Sequence, residues 1–451
     1  MTRIKTIFWA ALALVAVLWF AADPAALRVA GFFPLRGAMV QISGLLAMTC
    51  MSVAMILALR PRWPERWIGG LDKMYRLHKW LGIGGLVLAI VHWLWAKGPK
   101  WAVGFGWLTR PERGPRPAAG SAVEEVLRTW RGTAEGIGEW AFYAAVLLIA
   151  VALIHRISYR AFYQTHRWLA LAYLVLVFHT VVLMKLPYWS SPLGLVMALL
   201  LAYASAAALV VLARRVGARR KVAGTVTQLQ YFPELRVLRG DIDIPQGWPG
   251  HKPGQFAFVT TGDTDDAHPF TIASAWNPAE PRLTFVTKEL GDYTQRLPEV
   301  LHIGQPARIE GPYGCFTFED DCARQIWIGG GIGITPFIAR MQQLAMDRQA
   351  YVGRPRVQQV DLFHTTADWS EDAIAQLRAD AEAAGIRLHV LHDGRDGRLT
   401  GERIRQAVPD WQQASIWFCG PAGFGAALRR DFAASGMPVA RRFHQELFAM
   451  R

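Results

Sequence analysis

At 451 residues, of which 52% are hydrophobic and only 19% charged, the chain is too apolar for an ordinary soluble protein and points to membrane spans. The net charge of +14 does not indicate nucleic acid, because much of the surplus lies beside apolar runs, where basic residues report orientation. The four cysteines, Cys50, Cys315, Cys322 and Cys419, form no CxxC pair, which argues against a disulfide framework and places any soluble part in a reducing cytoplasm.

Six apolar segments come first, at about 7–22, 38–59, 79–96, 139–155, 164–184 and 192–213. Most approach the ~20 residues that cross a bilayer core. The first has the basic start and small residues of a cleavable signal peptide. Trp9 and Trp19, near its two ends, favour a retained span with interfacial anchors. With the N-terminus inside, the inner segments hold 16 Lys and Arg and the outer ones 10. That bias places both termini in the cytoplasm of a bacterial-type plasma membrane. Segment 97–138, rich in Trp, Gly and Pro, is expected to be an outer loop folded over the bundle, of unassigned function.

The third and fifth segments carry histidines near both ends: His78 and His92, then His166 and His179. Ionisable side chains inside spans are costly and usually functional. Fourteen residues at about 1.5 Å each separate His78 from His92 by about 21 Å, and about 100° per residue leaves them about 40° apart, on one face. Both spans run outward, so His78 can face His166 on the cytoplasmic side and His92 can face His179 on the outer side. Each pair can hold one haem iron by two axial imidazoles. The thirteen residues from His166 to His179 fit less well, because an ideal helix turns them about 140° apart. Either local tightening or a position of His166 at the helix start must correct this. One such histidine alone is as readily a helix–helix hydrogen-bond partner; four at matched heights point to ligation. His155 has no matching partner and is expected to be interfacial. The two spacings, His-x13-His and His-x12-His, resemble those of the ferric reductase and NADPH oxidase superfamily. That resemblance implies a six-helix transmembrane bundle with two b-type haems.

After ARRVGARRK the pattern changes. Residues 222–310 show short β-type runs separated by turns, as in a small antiparallel barrel. From 325 onward strand-like and helix-like stretches alternate, the mark of a doubly wound parallel sheet. The expected division is a membrane domain over 1–215, a barrel over 216–320 and an α/β domain over 321–451.

The soluble half carries HPFTIAS (268–274), TKELGDYTQRL (287–297), GPYGCF (311–316), GGGIGITPF (329–337) and FCGPAGF (418–424) in that order. Together they resemble the motifs of ferredoxin-reductase-type FAD and NAD(P)H domains. The resemblance implies that His268, Pro269, Phe270 and Thr271 bind the isoalloxazine, with Thr271 near the atom that receives hydride. His268 stands where soluble members have Arg. Lys288, Gly291, Asp292 and Thr294 would take the FAD pyrophosphate, where a helix start favours anions. Gly329, Gly330, Gly331, Gly333, Ile334, Thr335 and Pro336 would form the nucleotide loop: glycines permit close backbone approach and Pro suits the first helical turn. Cys419, Gly420 and Pro421 would border the nicotinamide, with Cys419 beside the hydride path. Phe448, within Glu-x-Phe near the chain end, would stack on the flavin; Phe443 is its rival.

HTTADWSED, after the second strand of the nucleotide domain, has no basic residue to hold a 2′-phosphate, though Arg395 and Arg398 are substitutes. The cofactor is therefore NADPH or NADH. The function implied is a transmembrane oxidoreductase moving electrons from cytosolic NAD(P)H through FAD and two haems to an outer acceptor. Oxygen is the first expectation, giving superoxide. A ferric chelate, a quinone or a periplasmic partner protein are alternatives, as are a membrane anchor or transporter regulated by a flavin domain, and a soluble-type reductase fused to inert spans. No obligatory protein subunit or calcium-binding extension is expected.

Overall fold

The computed structural model describes the chain apart from residues 1, 27, 29–30, 110–118, 155–158, 263–266, 351–357 and 447–451. His155 and Phe448 lie outside the described residues. The chain divides into two compact units, residues 1–68 with 73–217, and residues 69–72 with 218–451.

Among the described residues, the first unit holds six helical segments long and apolar enough to cross a membrane. They are α1 (Thr2–Ala22), α2 (Phe32–Ala58), α3 (Leu71–Gly104), α4 (Ala122–Leu153), a fifth span made of α5 (Tyr159–His166) and α6 (Leu169–Leu183), and α7 (Pro192–Leu212). Lipid tails are as apolar as leucine, so close packing, not hydrophobicity, holds such helices together. The small residues Ala170, Ala204 and Ala208 permit that approach around Met48, Tyr173 and Met197. One buried polar cluster is paired throughout. The Trp19 indole donates to the Tyr188 hydroxyl at 3.2 Å, which donates to Asp23 at 2.7 Å, and Lys185 meets the same carboxylate at 2.8 Å.

The expected outer loop over 97–138 is mostly helix: α3 continues to Gly104, and α4 begins at Ala122. The reason is local. Ser121 Oγ accepts the Glu124 amide at 3.2 Å and caps α4. The pairs Arg128–Glu124 (2.5 Å) and Arg131–Glu135 (3.1 Å), four residues apart, support the first turns. In α3, Pro99 has no N–H to give the Trp95 carbonyl. Arg36 supplies the donor instead, Nε to Trp95 at 3.0 Å and Nη2 to Ala96 at 2.8 Å.

The second unit opens with six strands: β1 (Lys221–Phe232), β2 (Val237–Asp243), β3 (Phe256–Thr261), β4 (His268–Thr271), β5 (Arg282–Lys288) and β6 (Pro306–Tyr313). They pair antiparallel in the order β4-β3-β6-β1-β2-β5. The two edges meet through an Ile272–Phe285 bridge, with the Ala273 amide donating to Thr284 at 2.7 Å, so the sheet closes into a barrel. Helix α8 (Asp292–Val300) follows β5.

The remaining strands are β7 (Arg324–Gly330), β8 (Gln359–Thr366), β9 (Arg387–His392), β10 (Ala414–Cys419) and β11 (Phe443–Gln445), all parallel in the order β11-β10-β7-β8-β9. Helices α9 (Thr335–Ala350), α10 (Glu371–Ala384), α11 (Gly401–Ala407) and α12 (Ala422–Ala434) connect them. The central strands are apolar throughout, with Ile326, Ile328, Ile416 and Phe418 buried, as a sheet covered on both faces requires. The membrane bundle, barrel and doubly wound sheet expected from the sequence are all present.

Candidate functional site

The four span histidines meet in two pairs. The ring centroids of His78 and His166 are 5.9 Å apart, and those of His92 and His179 are 6.1 Å apart. His78 and His92 stand on α3; His179 lies in α6, and His166 ends α5. The turn at Arg167 and Trp168 separates α5 from α6. There the Trp168, Ala170 and Leu171 amides each bond the carbonyl three residues back, so the span winds more tightly than an ideal α-helix between His166 and His179 and the 140° separation no longer applies.

Each ring but one is anchored on its far side. Nδ1 of His78 donates to the Ala54 carbonyl at 2.9 Å, that of His92 to Val40 at 2.9 Å, and that of His179 to Ala134 at 2.8 Å. A carbonyl only accepts, so each Nδ1 carries the proton and each Nε2 keeps its lone pair. Metal-ligating histidines are oriented in this way. His166 Nδ1 is buried and without a hydrogen-bond partner among the described residues. Two imidazoles gripping one metal ion at about 2 Å from each nitrogen, with about 1 Å more to each ring centre, place their centroids about 6 Å apart. Both pairs meet this spacing. Among the described residues no group of three or more His, Cys, Asp or Glu could hold a metal ion. Each pair offers two imidazole donors and would suit a metal that brings further ligands of its own.

Sequence reasoning missed two glycines here. A Cβ on Gly138 would lie 2.1 Å from His179 Nδ1, and one on Gly44 would lie 3.0 Å from His92 Nδ1. Only glycine leaves room for the rings to reach their carbonyls. His92, His179, Gly44 and Gly138 line a cavity of about 880 Å³ between α2, α3, α4 and α6, which also receives Arg36, Lys97, Lys100 and Arg131. Its size is that of a site for a large flat ligand.

In the second unit, β4 carries His268, Pro269, Phe270 and Thr271, the last buried and paired with Phe256 of β3. The His268 ring stacks on Tyr293 at 3.6 Å, and the Tyr293 hydroxyl shares a hydrogen bond with Thr261 at 3.0 Å. Tyr293 belongs to the LGDYT motif, yet sequence reasoning passes over it. Gly291 caps α8 and Asp292 is its first residue. Thr294 Oγ1 accepts the Leu290 and Gly291 amides at 3.0 and 3.1 Å, so its hydroxyl shapes the helix start. Lys288 is ion-paired with Asp368.

His251 was also missed. Its Nε2 donates to the Ser274 carbonyl at 2.8 Å and its Nδ1 accepts the Trp248 indole at 3.3 Å, pinning the end of HPFTIAS. Burial pushes its imidazole down to about 4, against the pull of the Ser274 hydrogen bond.

The nucleotide motifs gather at the carboxyl ends of β7 and β10. Gly329 and Gly330 end β7, Gly331 to Ile334 form a tight 3-10 turn, and Thr335 and Pro336 open α9. Cys419 pairs with Gly329 across the strands. A Cβ on Gly333 would meet the Cys419 carbonyl at 2.2 Å, and one on Gly330 would meet Pro421 at 2.9 Å. The Gly-rich loop and the Cys419-Gly420-Pro421 turn therefore pack against each other. Here the chain leaves β7 for β8 on one side and reaches β10 on the other, the switch point where such sheets bind ligands. Burial, with the Glu446 carboxylate adding to it, pushes the Cys419 thiol well above its usual range, so Cys419 is a protonated wall and no nucleophile.

Residues 43–177 match the family described as ferric reductase like transmembrane component, and residues 225–317 match an FAD-binding domain. Both matches fit the ferric reductase and NADPH oxidase superfamily that the sequence motifs resemble. The transmembrane match includes His78, His92 and His166 and ends two residues before His179. The chain is 33% identical over 152 residues to an NADPH oxidoreductase of Mycobacterium tuberculosis, covering 33% of this chain and 37% of that protein. It is 27% identical over 231 residues to a flavohemoprotein of Deinococcus radiodurans (47% and 55%). It is 29% identical over 217 residues to dual oxidase 2 of Sus scrofa (45% and 13%). The chain spans about half or less of the length of these relatives. The chain is thus a multi-pass membrane protein with an FAD-binding domain and a doubly wound parallel-sheet domain.

Proposed function

We propose that this protein is a transmembrane NAD(P)H oxidoreductase that passes electrons through FAD and two b-type haems to an acceptor on the outer face. The observation that carries this reading is the pairing of four histidines at two levels, each pair spaced for one metal held between two rings. Bound FAD and haem would supply the redox chemistry, accepting an electron pair from NAD(P)H and carrying single electrons across the bilayer. The chain's own residues bind and orient. His78 with His166, and His92 with His179, would hold the haem irons, and the carbonyls of Ala54, Val40 and Ala134 fix three of the four rings. Barrel residues 216–320 would hold FAD, with Thr271 and Phe270 at the ring system and Gly291, Asp292, Thr294 and Lys288 at the pyrophosphate. Residues 321–451 would hold the nucleotide on Gly329–Pro336, with Cys419, Gly420 and Pro421 walling the nicotinamide. No general acid is required. The positive-inside bias of the sequence supports a cytoplasmic second unit.

Oxygen is the acceptor we favour, supported by the similarity to a dual oxidase. A second reading, reduction of a ferric chelate, draws on the excess of basic side chains (Arg36, Lys97, Lys100, Arg128, Arg131 and Lys185) over Glu124, Glu135 and Glu139 in the wall of the His92 cavity, which would attract an anionic chelate. The test is NAD(P)H oxidation by the purified protein with oxygen, a ferric chelate or a quinone supplied in turn. Cytochrome c reduction sensitive to superoxide dismutase supports oxygen. A reduced-minus-oxidised spectrum without a b-type haem signature overturns the scheme.

A further inference from the structure

We propose that Asp393 selects NADH over NADPH by accepting the 2′-hydroxyl of the adenine ribose. The inference rests on the nucleotide-binding reading above and deepens it. In open parallel sheets the ribose of a dinucleotide lies beyond the carboxyl ends of the strands; an acidic side chain there takes the 2′-hydroxyl, and a basic one takes the 2′-phosphate.

Here the strands next to the glycine loop end in acid. Thr365 and Thr366 of β8 pair with Leu391 and His392 of β9, so the two strands finish side by side, and Asp393 follows at once. The Thr365 hydroxyl donates to Asp393 Oδ1 at 2.5 Å. That bond fixes the carboxylate and leaves Oδ2 without a hydrogen-bond partner among the described residues. A carboxylate with one oxygen held and one open accepts a hydroxyl and repels a phosphate dianion.

Of the cations nearby, exposed Arg398 apart, the side chains are already engaged. Arg395 lies over the Trp369 ring at 4.7 Å and reaches both oxygens of Asp396, at 3.1 and 3.2 Å. Arg403 Nη1 donates to the carbonyls of Asp396, Gly397 and Arg398. Lys288 is paired with Asp368. His364 brings no charge, because burial pushes its imidazole down to about 4 while its Nδ1 donates to Gly329 at 3.1 Å. A 2′-phosphate arriving here meets the Asp393 carboxylate first, and Arg395 or Lys288 would have to leave an existing ion pair to reach it. Arg398 is exposed, and its backbone carbonyl is among those held by Arg403.

The experiment is anaerobic bleaching of the bound flavin in the purified full-length protein, read by stopped flow, with NADH and NADPH compared as second-order rate constants. NADH is expected to be faster by about tenfold or more, the ratio that one discriminating hydrogen bond supplies. Asp393→Asn, of the same shape, should shrink the ratio to about threefold or less, mainly through weaker binding of NADH and better binding of NADPH. Asp393→Ser should do the same, and flavin content of both variants reports folding. NADPH equal to or faster than NADH in the native protein, or an unchanged ratio in folded variants, overturns the assignment of Asp393 and leaves the oxidoreductase reading intact. Failure of both nucleotides to bleach the flavin overturns the oxidoreductase reading, and this inference with it.

Discussion

Gly138 of α4 lies against the His179 ring so closely that a single added methyl group would stand 2.1 Å from Nδ1. The contact is backbone against ring, so neither side can yield cheaply. Gly138→Ala should turn His179 out of line with His92 and, on the proposed function, remove most of the haem that this pair would hold. Gly44→Ala, where the approach is 3.0 Å, should cost less. Haem-to-protein ratios of the two variants check the order, and equal, full ratios would show that the glycines do not serve the rings.

Removing one ring of a pair should empty that level only. His92→Ala is expected to lose about half the haem, while flavin reduction by NAD(P)H continues. His78→Ala should also lose about half, and electron delivery to any outer acceptor should stop in both. A full haem complement in either variant counts against the pairing.

Arg36 gives two hydrogen bonds to carbonyls of α3, one of which Pro99 leaves without a helical donor. Arg36→Leu should destabilise the bundle by about 1–3 kcal/mol, the usual cost of stranding a buried acceptor. Arg36→Lys should recover part of it. Thermal unfolding in detergent is the measurement. In an Arg36→Leu, Pro99→Ala double variant the loss should be smaller than in Arg36→Leu alone, because an alanine in place of the proline restores the backbone donor.

His251 titrates near 4 in the folded barrel against an ordinary 6.5. The unfolded chain therefore takes up a proton that the folded one refuses as pH falls below about 6.5. Stability present above that pH is lost down to about 4 and no further, by up to about 3 kcal/mol. His364, lowered to about 4 by burial, adds a loss of the same sign. Flavin-release melting temperatures from pH 7.5 to 4.5 should fall in that window, and less steeply in His251→Gln. A flat profile in the native protein would refute the burial of these rings.

The spans, the histidine ladder and the order of soluble motifs are legible because each follows a simple period or a spacing. The His78–His92 relation holds because α3 runs unbroken between them. The His166–His179 relation does not follow from helical spacing, since Arg167 and Trp168 contain neither Pro nor Gly to announce a break. The helical ends of α3 and α4 read as loop because their composition is polar and rich in Gly and Trp. Yet Ser121 with Glu124 three residues on is a recognised helix-start signal. Gly44, Gly138, Arg36 and Tyr293 matter through contacts distant in sequence, which no local pattern records. For Arg36 a clue exists: a proline inside an apolar helix orphans the carbonyl four residues back and calls for a donor from elsewhere.

The interruption after His166 has a mechanical meaning. On one rigid rod, any twist that tuned the lower ring would swing the upper ring with it. A short overwound stretch between them lets the local winding set the azimuth of one ring against the other, so each pair of rings can be aimed at its own level.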